Sequence, residues 1–148
     1  MSQQRRVSDV AAATSEANLQ LPLAKYRVMP SMPWSVPGGT GYSMIPDVTV
    51  LPADWHRAGD FGIDPPPLLV VEIASPSTRR ADRTRKLADY GVGGAGLYLL
   101  VDLPATFEAH DFATGTVVRA IGTIDLVVGG HPVRFALPPT TGTGQAEG

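Results

Sequence analysis

Apolar positions along the chain cluster in three short segments that have the composition of β-strands. Residues 68–74 form a continuous apolar run that is interrupted once, by Glu72. Residues 96–101 form a second apolar run, and residues 46–51 alternate between polar and β-branched side chains. Runs of this length are typical of strands, and an unbroken apolar run indicates a strand covered on both faces. The pattern predicts three strands, with 68–74 at the centre of a sheet.

A helix is predicted between the second and third of these strands. Residues 75–78 (Ser-Pro-Ser-Thr) supply N-cap candidates, residues 79–90 continue as the helix, and Gly91 ends it. A strand–helix–strand unit within one sheet almost always has a right-handed crossover. Strands 68–74 and 96–101 are therefore expected to run parallel.

The remaining segments complete an α/β fold with a mixed sheet, flanking helices and C-terminal antiparallel hairpins. Helical spacing of apolar residues predicts a helix from Arg5 to Leu19, and the Pro- and Gly-rich stretch 26–42 predicts a short strand followed by a loop. A polar loop is expected before Pro65. Two hairpins are predicted, over 107–112 with 116–121 and over 124–128 with 133–137. Residues 1–139 are expected to form one domain, and the polar residues 140–148 a disordered tail.

Composition narrows the possible environments and partners. The chain has 148 residues and no cysteine, which excludes disulfides and thiolate metal sites and fits a cytoplasmic protein. No apolar run approaches the roughly 18 residues that span a bilayer, and the N-terminus lacks the apolar stretch of a signal peptide. No membrane partner is expected. The net charge of −2 argues against a general nucleic-acid coat protein, so a phosphate-bearing substrate would need a local basic patch.

Such a patch lies in the predicted helix 79–90. Its positive residues are Arg79, Arg80, Arg83, Arg85 and Lys86, and its negative residues are Asp82 and Asp89. The patch carries a charge of +3 (five positive, two negative), which leaves −5 for the rest of the chain. An isolated run of charges is more often a solvated helix face than a binding site. The residues that precede this run favour a binding site over a solvated helix face.

Glu72 is the most informative residue, because burying an unpaired carboxylate costs several kcal/mol. Three explanations for a carboxylate in this apolar strand are open: it pairs with a cation, it is protonated, or it binds a metal. Asp47 opens strand 46–51 and offers a second carboxylate, although taken alone it reads as a turn aspartate. Two carboxylates on neighbouring strands can reach one Mg²⁺, and a nearby lysine can orient water or stabilise charge on a phosphate. The usual position of that lysine, two residues after the glutamate, is here Ala74.

Four motifs together resemble the Uma-two family of restriction-endonuclease-like proteins. They are Pro46-Asp47-Val48, Val71-Glu72-x-x-Ser75-Pro76-Ser77, Asp82-x-x-x-Lys86-x-x-x-Tyr90 and Leu97-Tyr98-Leu99-Leu100-Val101-Asp102. The resemblance covers about residues 44 to 137. It implies a PD-(D/E)XK nuclease core in which the lysine has moved from the strand to the following helix. The second and third motifs are specific, whereas Pro-Asp alone is a weak signal.

The resemblance implies a role for each site residue. Asp47, Glu72 and the backbone carbonyl of Ile73 would hold Mg²⁺, or Mn²⁺ in its place. Lys86 would position the attacking water, and DNA phosphates would contact the helix arginines, which are Arg79, Arg80, Arg83 and Arg85. Lys86 lies four residues from both Asp82 and Tyr90, so all three share one helical face. Pairing of Lys86 with Asp82 alone is the competing interpretation, and Tyr90 is expected to pack or form hydrogen bonds.

Three functions stay open at this point. The first is a Mg²⁺-dependent DNA endonuclease, for which a homodimer is one expectation because cutting both strands commonly uses two copies. The second is a non-catalytic binding or regulatory module, because the resemblance implies a further glutamate in a strand ahead of the first helix, and the chain is expected to begin after that strand. The third is a hydrolase of another phosphorylated substrate, which stays open because the acidic net charge argues against binding of an extended duplex. The three histidines are scattered and do not have zinc-ligand spacing.

Overall fold

The computed structural model describes residues 21–22, 24–36, 43–74, 82–102 and 106–136. Within them the chain forms twelve strands, one π-helical turn and one α-helix. The strands are β1 Tyr26–Pro30, β2 Trp34–Ser35, β3 Ser43–Met44, β4 Val48–Pro52, β5 His56–Ala58, β6 Gly62–Asp64, β7 Leu69–Ile73, β8 Leu97–Asp102, β9 Thr106–Asp111, β10 Thr116–Ile121, β11 Thr123–Val128 and β12 His131–Ala136. The π-helical turn is Asp82–Lys86, and α1 is Leu87–Val92.

Six strands form the main sheet, in the order β1-β4-β7-β8-β9-β10. Strands β7 and β8 run parallel, with Leu69 opposite Leu97, and every other neighbouring pair is antiparallel. The three strands expected from the apolar pattern are confirmed, as is the parallel pairing of the last two. Because β7 and β8 lie at the centre of the sheet, both of their faces are buried.

Both predicted C-terminal hairpins are confirmed, but they occupy different places. Strands β9 and β10 extend the main sheet and leave β10 at its edge. Strands β11 and β12 form a separate two-stranded sheet. In β11 buried and exposed positions alternate strictly, so one face of this hairpin is apolar. That face packs into the core beneath the main sheet.

Side chains alternate across the main sheet and build two cores, one on each face. The first core contains Leu69, Val71 and Ile73 of β7, together with the apolar face of the β11–β12 hairpin. The second core contains Val70 and Ala74, which point to the opposite face. Glu72 has the same parity as Val70 and Ala74, so its carboxylate belongs to the second face, which is called the site face from here on.

Two short strand pairs were not predicted. Strand β2 lies in the stretch 26–42, expected to be a strand followed by a loop, and pairs with β3 just after it, whereas β5 and β6 pair within the expected polar loop. The β5–β6 turn places Gly59 and Phe61 at positive φ. Strand β5 is exposed along its whole length. Such strands pair mainly through their backbone and show no apolar alternation, so the sequence pattern gives no signal for them.

The helix between β7 and β8 differs in detail from the prediction. Its described part begins with the π-helical turn, and α1 continues past Gly91 to Val92. The main chain then turns at Gly94, whose φ of 95° suits glycine. The predicted helix at 5–19, the start of the helix at 79–81 and the predicted tail at 140–148 lie outside the described residues. In the part of the chain that the structure describes, no helix is long and apolar enough to cross a membrane.

Candidate active site

Glu72 is buried in β7, and its side chain is satisfied by two groups from the following helix. The hydroxyl of Tyr90 donates a hydrogen bond to Oε2 at 2.7 Å. The ammonium Nζ of Lys86 lies 3.3 Å from the same oxygen. Of the three explanations for a carboxylate in this apolar strand, pairing with a cation is therefore the one observed. The side chain of Lys86 keeps 23% of its surface exposed, so the pair lies at the boundary between core and solvent.

Asp47 lies beside Glu72 because of the antiparallel register between β4 and β7. Val48 is opposite Val71, and continuing this register by one residue brings Asp47 opposite Glu72. Asp47 Oδ2 accepts a hydrogen bond of 2.7 Å from the backbone N–H of Ile73. This bond fixes the aspartate just before the start of β4. After burial and the neighbouring Glu72, the negative charge of Asp47 also raises the pKa of the Tyr90 hydroxyl.

Lys86 and Tyr90 reach the same carboxylate oxygen because they are four residues apart on one side of the helix. Lys86 ends the π-helical turn and Tyr90 lies in α1. Insertions of a π turn into a helix are frequent at functional sites. Lys86 has Glu72 as a direct neighbour. The competing partner, Asp82, belongs to the same turn, but its side chain is outside the description, so a Lys86–Asp82 pair stays a prediction.

Tyr90 is held rigidly by aromatic neighbours. Its ring stacks on Trp34, with centroids 5.7 Å apart and planes inclined by 5°, and it contacts Tyr98 at 5.5 Å. Burial, followed by the negative charge of Glu72 and the hydrogen bond to it, raises the pKa of the Tyr90 hydroxyl far above its usual range. The hydroxyl therefore stays protonated and acts as a hydrogen-bond donor to Glu72. The expectation that Tyr90 forms a hydrogen bond is confirmed.

The raised pKa of Tyr90 predicts a loss of stability at alkaline pH. Above about pH 10 an unfolded tyrosine loses its proton, whereas folded Tyr90 retains it. The unfolded state then binds fewer protons, so the free energy of unfolding falls as the pH rises, by up to about 1.4 kcal/mol per pH unit. Urea unfolding between about pH 9.5 and 11 should show a shallower fall for Tyr90→Phe than for the wild type. Equal slopes would contradict this placement of Tyr90.

The structure describes only part of the predicted phosphate-binding patch. Arg79 and Arg80 lie outside the described residues, and Arg83 is described only in its backbone. Arg85 has an exposed side chain next to Lys86. The N–H of Ile73 is bonded to Asp47, while the role of its carbonyl as a metal ligand stays a prediction.

A second polar cluster on the site face was not anticipated from the sequence. Glu108 in β9 is buried, and its two oxygens contact different partners. Oε1 accepts a hydrogen bond of 3.0 Å from Nε of Arg119, and Oε2 lies 2.7 Å from Nε2 of His110. The alternating pattern of a hairpin strand gives no reason to expect a buried glutamate there. The available signal was the opposite charge of Arg119, which the hairpin register places directly across from Glu108.

The donor atoms at Asp47 and Glu72 suit a hard cation that keeps most of its water. Mg²⁺ is commonly bound through one or two carboxylates, with waters and substrate phosphates completing its octahedron. Structural zinc needs four protein ligands, and catalytic zinc usually three. Among the described residues, no group of three or more His, Cys, Asp or Glu side chains could hold a metal ion. The two described carboxylates therefore suit Mg²⁺ or Mn²⁺, and binding of either ion here stays a prediction.

Comparison with known proteins assigns the family. The family model Uma2, described as "Putative restriction endonuclease", matches residues 2–112. Similar solved structures include one from Anabaena variabilis ATCC 29413, described as "a putative nuclease belonging to DUF820". It is 16% identical, with a TM-score of 0.56, over 80% of this chain and 67% of that chain. At this identity the likeness concerns the fold alone.

A search of curated proteins finds no match. The fold and the family model agree, and the chain belongs to the Uma2 (Uma-two) family of restriction-endonuclease-like proteins.

Proposed function

We propose that this protein is a divalent-metal-dependent endonuclease that hydrolyses phosphodiester bonds in DNA. Family membership and the nuclease-like fold support this proposal. The observation that carries it is the position of the Lys86 ammonium, 3.3 Å from Glu72 Oε2, with Asp47 opposite Glu72 on the neighbouring strand. Two carboxylates on paired strands, with a lysine beside them on the following helix, are groups that can support this chemistry.

Asp47 and Glu72, with the Ile73 carbonyl, would hold Mg²⁺ or Mn²⁺. When bound, such an ion polarises a phosphoryl oxygen and lowers the pKa of a coordinated water. The hydrogen bond from Tyr90 fixes the orientation of the Glu72 carboxylate, so this side chain needs little reorganisation when the metal ion binds. Asp47 contributes a second charge that is fixed by the Ile73 N–H.

Lys86 would have one role before a metal ion binds and another role afterwards. In the structure it compensates the buried charge of Glu72. A divalent cation at Glu72 would take over the compensation of that charge. The Lys86 ammonium could then position the attacking water or stabilise negative charge on the phosphate. The long, partly exposed side chain allows this movement without disturbing the helix. Arg79, Arg80, Arg83 and Arg85 would contact phosphates on either side of the cleaved bond.

The proposal is tested by incubating the purified protein with supercoiled plasmid DNA in Mg²⁺, in Mn²⁺ and in EDTA. Nicked or linear products are expected with either metal and not with EDTA. The variants that assign the residues are described in the Discussion. Absence of products with both metals, for a protein that is folded by circular dichroism, would contradict the proposed activity.

A second candidate is a nuclease-fold module that binds DNA or protein without cleaving. It is favoured by the pairing of Glu72 with Lys86 and by the lack, among residues 21–136 as described, of a third acidic or histidine metal ligand. This function needs no metal affinity. Calorimetric titration with Mn²⁺ separates the two candidates, because the nuclease should release or absorb heat at one site per chain and the binding module should not. A hydrolase of another phosphorylated substrate would bind metal but leave DNA uncut.

A further inference from the structure

We propose that Arg119 is a contact for a DNA backbone phosphate, held in position on the site face by the buried Glu108. This inference rests on the proposed function, because it names a part of the surface that the DNA would touch. Arg119 lies outside the basic helix 79–90 and outside the motifs that characterise the family.

The strand register places Arg119 level with the candidate active site. Glu72 is opposite Leu100, Leu100 is opposite Glu108, and Glu108 is opposite Arg119. Residues that are direct partners across a sheet project from the same face. Arg119 therefore stands on the site face, three strands from Glu72. At about 4.8 Å per strand, the separation between the two backbone positions is about 14 Å.

A distance of this size suits two contacts to one DNA strand. Successive nucleotides rise by about 3.4 Å along a duplex, so several phosphates of the cleaved strand lie within about 14 Å of the scissile phosphate. A duplex whose scissile phosphate lies at Glu72 can thus present another phosphate at Arg119. Strand β10 is the edge of the sheet, so no further strand blocks the approach from that side in the described structure.

Glu108 holds the guanidinium in place without enclosing it. The Glu108 side chain is 9% exposed, whereas that of Arg119 is 69% exposed. The bond uses Nε of Arg119, which leaves the two terminal nitrogens to form paired hydrogen bonds with a phosphate. His110 contacts the other oxygen of Glu108 and fixes the carboxylate in turn. A preordered arginine loses less side-chain entropy when it binds a phosphate than a mobile one does.

The chain contains a matched ion pair that serves as a control. Asp125 and Arg134 are also partners across a hairpin, and Nε of Arg134 bonds Oδ1 of Asp125 at 2.7 Å. Both of their side chains are largely exposed. Their hairpin, β11–β12, packs against the core on the other face of the main sheet. If Arg119 served only to pair two strands, replacing it and replacing Arg134 should have similar effects on DNA binding.

The test is the binding of a fluorescent 20-base-pair duplex, measured by anisotropy at several salt concentrations in EDTA to prevent cleavage. Arg119→Ala should weaken binding about tenfold, which corresponds to the loss of one charge-assisted contact. It should also reduce the slope of log affinity against log salt by about 1. Arg134→Ala should leave both quantities unchanged. Glu108→Gln should weaken binding less than Arg119→Ala, because the arginine remains but is no longer held by a charge.

Each outcome has one meaning. If the wild type neither binds this DNA in EDTA nor cuts plasmid DNA with Mg²⁺ or Mn²⁺, the proposed function is contradicted and the Arg119 contact with it. If it cuts plasmid DNA but does not bind the duplex in EDTA, only the Arg119 contact is overturned. If the wild type binds and Arg119→Ala binds equally well, or if both arginine variants weaken binding to the same extent, only the Arg119 contact is overturned. Thermal melting of the variants verifies that they are folded. Should Arg119→Ala fail to fold, Arg119→Lys, which keeps the charge but loses the Nε bond, should weaken binding and retain the wild-type salt slope.

Discussion

Replacing Glu72 with glutamine is expected to reduce metal-dependent DNA cleavage at least about 100-fold. Glutamine has almost the same shape, and its carbonyl oxygen can still accept the hydrogen bond from Tyr90. It lacks the negative charge that would bind the divalent ion, and the ion contributes several kcal/mol of stabilisation to the reaction. The variant should therefore fold and yet fail to cut. The plasmid assay in Mg²⁺ and Mn²⁺, with circular dichroism to verify folding, measures both properties.

Asp125→Asn is the matched control for this experiment. Asp125 is an exposed carboxylate on the β11–β12 hairpin, on the opposite side of the sheet from Glu72. Its replacement removes the same charge from the chain and should leave cleavage within about twofold of the wild type. Asp47→Asn should resemble Glu72→Gln, because its amide oxygen can still accept the Ile73 N–H. Wild-type cleavage by Glu72→Gln would show that the assignment of roles is wrong.

Replacing Lys86 with methionine is expected to lower both cleavage and stability. The change removes the cation beside the buried Glu72 carboxylate and leaves the hydrogen bond from the Tyr90 hydroxyl in place. Breaking a buried ion pair costs roughly 3–5 kcal/mol, and because Lys86 is partly exposed we expect about 2–3 kcal/mol. Urea unfolding measures this loss. Lys25→Met, which removes the other lysine of the chain from an exposed position, should change the free energy of unfolding by less than about 0.5 kcal/mol.

The response of Lys86→Met to metal distinguishes a metal site from a structural ion pair. A divalent cation at Glu72 would replace the missing positive charge, so Mg²⁺ should stabilise this variant more than the wild type. The double variant Glu72→Gln with Lys86→Met has no charge to compensate and should recover most of the lost stability without metal. If Mg²⁺ stabilises Lys86→Met and the wild type equally, the ion does not bind at this carboxylate.

The centre of the fold could be predicted because its sequence signals are strong and local. Residues 68–74 and 96–101 are apolar at nearly every position, which is the composition expected of strands that are covered on both faces. The crossover rule then fixed their parallel pairing. The two C-terminal hairpins were found because Gly115 and the Gly129-Gly130 pair interrupt runs of β-forming residues, and these glycines have positive φ in the structure.

The structure gives a physical reason why position 74 is not a lysine. Ala74 occupies the position, two residues after Glu72, that the usual pattern of such a site gives to a lysine. Ala74 is buried in the second core, and its backbone N–H donates a hydrogen bond to the carbonyl of Val101. A lysine there would have to place its charge within an apolar cluster. On the helix, Lys86 reaches Glu72 from the solvent side and keeps part of its side chain hydrated.

Other features depend on contacts between distant segments and could not be read from the pattern. The stacking of Trp34 on Tyr90, which fixes the donor to Glu72, joins residues 56 positions apart. Glu108 is in a strand whose alternation predicts an exposed side chain, but His110 and Arg119 make its burial tolerable. The short strands β5 and β6 carry no apolar stripe. In each case the deciding interaction is tertiary, so local propensity gives no warning of it.

We expect Asp47 and Glu72 to hold one divalent cation between them, and anomalous scattering from crystals grown with Mn²⁺ shows directly whether they do. A single strong peak should lie within about 2.5 Å of one carboxylate oxygen from each residue. Lys86 should then have moved away from Glu72 Oε2. A structure at saturating Mn²⁺ with no peak at this position, and with Lys86 still in contact with Glu72, would contradict the claim.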